Sequence, residues 1–76
     1  MNATVAQELH ATAALCDDRA ARLEASADVL ATRAVTATWA GPAADRFRLL
    51  MVERRNQLRA AAAALRDAAM TMRAVQ

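Results

Sequence analysis

Apolar residues recur along this chain at helical intervals. In the first half Leu9, Cys16, Leu23, Leu30 and Ala37 stand seven residues apart, and Ala13, Ala20, Ala27 and Ala34 follow four residues after the first four. In the second half Met51, Leu58, Leu65 and Met72 keep the same interval, interleaved with Phe47, Arg54, Ala61 and Ala68. This 3-4 spacing holds one apolar stripe toward a partner helix and marks gently supercoiled pairs. Trp39-Ala40-Gly41-Pro42 separates the halves. Gly41 can take backbone conformations closed to other residues. Pro42 cannot extend a preceding helix but suits the first turn of the next. The β-branched Val35, Thr36 and Thr38 weaken the helix just before the break. The pattern predicts helix 1 over about 4–37, a turn over about 38–41 and helix 2 over about 42–74, each helix ~50 Å long. Asn2, or Thr4 in a capping box with Gln7, would start helix 1. Asp45 and Arg73 would lie at the ends of helix 2 whose dipole charge each complements.

Folding the chain at the Ala40–Gly41 bond makes paired residue numbers sum to 81. Leu9 then meets Met72, Cys16 meets Leu65, Leu23 meets Leu58 and Leu30 meets Met51. Ala13 meets Ala68, Ala20 meets Ala61 and Ala34 meets Phe47. Turn position and heptad phase are separate features of the sequence, and they agree on an antiparallel two-helix hairpin, all-α, as one domain over residues 1–76. Arg54 falls opposite Ala27, where its guanidinium would reach toward Asp28, and Glu8 falls in register with Arg73. A second stripe runs along the other side of helix 2 (Leu49, Val52, Asn56, Ala63 and Met70), with a weaker one on helix 1 (Val5, Thr12, Leu15 and Val29). Two helices hide only their facing sides, so Val5, Leu15, Val29, Leu49, Val52, Asn56 and Met70 are expected to meet a second hairpin in a dimeric four-helix bundle.

Composition sharpens this expectation. Hydrophobic residues make up 57% of the 76, but 23 are alanine, with one Phe, one Trp and no Tyr. A chain this small buries only ~60% of its unfolded surface, and alanine adds little apolar area per residue. A solitary hairpin would be marginal. Abundant alanine with one Gly and one Pro excludes a β-sandwich or a disordered low-complexity tail, and one cysteine excludes a disulfide scaffold. The net charge is +2. Residues 1–41 hold three arginines against five acids, −2, and residues 42–76 hold seven against three, +4. Opposite signs on the two halves read as helices that attract each other. No basic residue precedes Arg19 and Glu8 interrupts the N-terminal apolar stretch, so a cleaved signal peptide is not expected. The longest apolar run, Ala60 to Leu65, is far short of the ~20 residues that span a membrane, and no membrane insertion is expected.

Catalytic machinery is not visible. His10 and Cys16 point ~120° apart on one helix; Cys16 reads as a small seam residue and His10 as a solvated one. No cluster has metal-ligand spacing, one glycine makes no phosphate loop, and adjacent Asp17 and Asp18 diverge. The chain is read as non-enzymatic, without cofactor or metal. Arg54, Arg55 and Arg59 form the densest basic patch. The low net charge, Glu53 beside them and the lack of exposed aromatics for stacking argue against nucleic acid. Ten arginines and no lysine fit a GC-rich genome.

Trp39 at the bend would cover the end of the bundle and use its indole N–H. The segment Trp39-Ala40-Gly41-Pro42-Ala43-Ala44-Asp45-Arg46-Phe47 also resembles the Trp-X-Gly (WXG) family of small type VII (ESX) secretion proteins. The shared pattern is Trp-X-Gly at the midpoint of two helices, then small residues and an aromatic six positions after the glycine. The resemblance implies a non-enzymatic helical hairpin that pairs with a similar protein or with a toxin's N-terminal domain. It implies a cytoplasmic protein that leaves the cell folded through a secretion ATPase. Trp39, Gly41 and Phe47 would be its export and turn motif. The family's second signal element is a Tyr-x-x-x-Asp/Glu motif; with no tyrosine here, a different partner chain is expected to carry it, a homodimer being the lesser possibility. The alternative is a cytoplasmic hairpin-dimer regulator that binds RNA or another protein.

Overall fold

The computed structural model describes residues 3–75. Helix α1 runs Ala3–Thr36 and helix α2 runs Pro42–Ala74. They lie against each other as an antiparallel hairpin whose Cα atoms occupy 60 × 13 × 11 Å. α1 stops within the β-branched Val35–Thr36 pair, one residue before the expected end, although Ala37 still donates to the Arg33 carbonyl at 3.1 Å. Pro42 opens α2, with Asp45 in its first turn and Arg73 in its last. Thr4 lies inside α1 and cannot be its cap; Asn2 lies outside the described residues.

The centre of the hairpin is made of alanine. Ala13, Ala20, Ala27, Ala44, Ala62 and Ala69 are buried, and among the described residues no large side chain is fully buried. Methyl-sized side chains let two helix backbones approach closely. The larger residues of each heptad then stand at the edge of the contact. Leu9, Cys16, Leu23 and Leu30 of α1, and Met51, Leu58, Leu65 and Met72 of α2, are all half-buried.

The phase of α2 differs from the sequence expectation by one residue. Ala62 and Ala69 are buried, whereas Ala61 is exposed and Ala68 is half-buried. The pairing of Ala20 with Ala61 and Ala13 with Ala68 is therefore corrected. The same shift brings Arg55 to the half-buried position and leaves Arg54 exposed, bonded to Gln57 Oε1 at 3.4 Å. Asp28 is met by Arg59 at 3.5 Å instead of Arg54, and Arg73 meets Asp17 at 2.7 Å instead of Glu8.

Those contacts belong to a ladder along one edge of the hairpin. Arg59, Arg66 and Arg73 stand seven apart on α2; Asp17 and Glu24 stand seven apart on α1. Arg66 donates to Glu24 through Nε at 2.9 Å and through Nη2, and it lies 3.9 Å from Asp17. A strict sum-of-81 register would place Asp28 against Glu53; the ladder replaces that repulsion with Arg59. Each pair is solvated and contributes about 0–1 kcal/mol, so the ladder selects an alignment while the alanines set the approach.

Leucine at Ala62 should force the helices apart and lower stability by about 1–3 kcal/mol. Leucine at the exposed Ala61 should change it by less than about 0.5 kcal/mol. Urea unfolding followed by circular dichroism measures both, and the reverse order would restore the earlier phase of α2.

Candidate interaction site

The turn is held by a residue that sequence reasoning missed. Arg48 donates through Nη2 to the carbonyls of Ala37 at 3.1 Å and Trp39 at 2.7 Å. Asp45 Oδ1 lies 3.6 Å from its Nη1 and steadies the guanidinium. A helix C-terminus presents carbonyls without intrahelical partners and a partial negative charge. Arg48 reaches back from the second turn of α2 to the connection just past that end, placing its positive charge near the α1 C-terminus. The available signal was an arginine close after the break, within reach of the backbone carbonyls of the connection.

Gly41 has φ 107° and ψ 178° and precedes Pro42 as the N-cap of α2. Its carbonyl accepts the first α2 bond, from Asp45 N at 3.0 Å. A Cβ at Gly41 would meet nothing within 4 Å, so the need for glycine is purely conformational. Trp39 is 47% exposed. Its ring packs on Phe47 with centroids 5.6 Å apart and planes tilted by 47°, a favourable aromatic geometry. Its indole N–H has no hydrogen-bond partner among the described residues. The tryptophan is thus presented on a braced turn.

The two long sides of the hairpin differ. Helical geometry places residues seven apart in one row. One side carries the charged ladder, with Leu49, Asn56, Ala63 and Met70 in the row beyond the arginines; an open depression there is lined by Glu24, Asp28, Arg59, Ala62, Ala63 and Arg66. The other side carries the half-buried Leu and Met rows. Two shallow depressions lie on it, one lined by Thr12, Leu15, Cys16, Arg19 and Leu65, the other by Ser26, Val29, Leu30, Arg33, Arg54 and Leu58.

This arrangement divides the residues assigned to a partner. Leu15 and Val29, 64% and 49% exposed, belong with the Leu/Met side, and so does Val5 by its row with Thr12 and Arg19. Leu49, Asn56 and Met70 lie beyond the charged ladder. Val52 is half-buried in the Arg59 row. They do not form one continuous surface. The richer apolar surface is the outward edge of the residues first read as the internal seam, joined by exposed Leu50.

The remaining chemical candidates separate. His10 is exposed and Cys16 is a free, half-buried thiol. Asp17 faces Arg73 and Arg66, while Asp18 pairs with Arg22 at 3.0 Å. Among the described residues no group of three or more His, Cys, Asp or Glu could hold a metal ion, and no helix is long and apolar enough to cross a membrane. The basic patch is dispersed. Arg54 turns to the Leu/Met side, Arg55 bonds Asn56 Oδ1 near the seam at 3.2 Å, and Arg59 joins the ladder. Comparison with protein-family models, curated proteins and solved structures gives no match.

Replacing Arg48 by methionine should lower stability by about 1–2 kcal/mol and shift the emission of Trp39, the only tryptophan. Gly41→Ala should lower stability by about 1–3 kcal/mol through backbone strain alone. Urea melts read by tryptophan fluorescence test both; an unchanged midpoint for either variant would remove that residue from the bracing of the turn.

Proposed function

We propose that this chain is a non-enzymatic, WXG-like helical-hairpin protein of a type VII secretion system, acting as the dimerising export partner or chaperone of another helical protein. One observation carries the reading. Trp39-Ala40-Gly41 lies in the connection between two helices of 34 and 33 residues, with its indole half exposed and tilted against Phe47. A tryptophan needed only for packing would be expected to bury its ring. Here Arg48 and Gly41 fix the turn that displays it. Pairing is supported by the half-buried Leu and Met rows, since covering what remains exposed of each would add part of the about 1.5–3 kcal/mol that full burial contributes. A second pair of helices laid on those rows would complete a four-helix bundle. In this reading the complex forms in the cytoplasm and leaves through the secretion ATPase, and the partner carries the family's tyrosine-containing element.

Trp39→Ala should leave helicity intact by circular dichroism and abolish appearance of the chain in the medium of a host with a working type VII system. Unchanged export of the variant would return Trp39 to a structural role and remove the main support for the reading.

A further inference from the structure

We infer that the Leu/Met side of the hairpin docks a different chain, a helical segment with an apolar centre and acidic flanks, in preference to a second copy of this one. The inference rests on the pairing reading above and specifies the partner's chemistry. Size permits it. The hairpin is 60 Å long at the level of the Cα atoms, enough for a partner helix to lie along it.

Charge selects the occupant. Arg19 borders the depression around Cys16 and Leu65; Arg33 and Arg54 border the one around Leu30 and Leu58. All three are exposed and make no ion pair among the described residues, Arg54 bonding only the neutral Gln57. The opposite edge behaves differently. There Arg59, Arg66 and Arg73 are each matched by an acid of α1. Arg22, in the Leu15 row, is already paired with Asp18. The one acid in that row is Glu8, a heptad before Leu15 and near the start of α1. Two copies meeting through this side would bring six unmatched guanidinium groups to one interface. Like charges brought together there oppose association, whereas acids flanking a partner's apolar stripe would pair with them. Arginine suits this task because its planar fork binds carboxylates through two parallel bonds.

A charge-reversed copy of the chain supplies a defined partner. Arg19→Glu, Arg33→Glu and Arg54→Glu together keep the apolar rows and change only exposed positions. Sedimentation equilibrium of wild type, variant and their mixture should show a mixed 1:1 dimer at least roughly tenfold tighter than wild-type self-association. Raising salt from about 0.05 to 0.5 M should weaken the mixed dimer and strengthen wild-type self-association, because screening removes attraction in one and repulsion in the other. Adding Leu15→Ser and Val29→Ser should weaken the mixed dimer; no effect would place the contact elsewhere and overturn the docking side. Wild type that dimerises as tightly as the mixture would overturn the acidic partner and leave pairing intact. No association in any sample, with helicity verified, would overturn pairing itself.

Discussion

The close contact of two alanine rows is the constraint on which this molecule depends. Ala13, Ala20 and Ala27 of α1 and Ala44, Ala62 and Ala69 of α2 are the buried residues among those described. A methyl group fills little space, so the helices can draw close without voids. The same closeness leaves no room for leucine between them. Leu9, Leu23, Leu30, Leu58 and Leu65 therefore stand at the edge of the contact, half in water. A seam that gains modest apolar burial inside leaves a greasy surface outside. Stability and the capacity to bind thus have one structural origin.

Charge distinguishes the two edges of that contact. One edge balances itself, with arginines at heptad spacing meeting Asp17, Glu24 and Asp28. The other carries arginines without acids beside its largest apolar residues. The neutralised edge aligns the helices, while the unmatched edge is suited to an external contact. At the bend, Arg48 binds the carbonyls of Ala37 and Trp39 in the connection just beyond α1, and Gly41 supplies a positive φ that redirects the chain. Trp39 is displayed there beside Phe47, which stands one heptad before Arg54 at the end of the broad apolar side.

Much of the fold was legible because its signals are local. Gly41-Pro42 and the β-branched residues before it place the break, and the start of α2 at Pro42 follows directly. On α1, leucines alternating with alanines at 3-4 spacing admit one phase. α2 is less explicit. Ala60–Ala64 are five identical residues in a row, which carry no phase, and Arg54-Arg55 leaves open which arginine faces inward. The one-residue difference enters there. The partner surface was harder to read because larger side chains were expected inside and the outward side was sought opposite them. Packing geometry reverses that order: the smallest residues go inside, and the Leu and Met rows become the edge. Arg48 escaped because its partners are backbone carbonyls, which leave no pattern of residue types.

Cys16 offers the most direct test of an alanine seam with an open Leu/Met edge. It is the chain's single cysteine, lies in the Leu row of α1 and borders the depression shared with Leu15 and Leu65. Its reaction with a chromogenic disulfide reagent should be followed across a urea series while circular dichroism monitors helicity. The account predicts a thiol that reacts without denaturant, at a rate nearly flat until the helices melt. A thiol inert in the folded chain and reactive only on unfolding would mean that the leucine row is the interior, and the open edge would not exist.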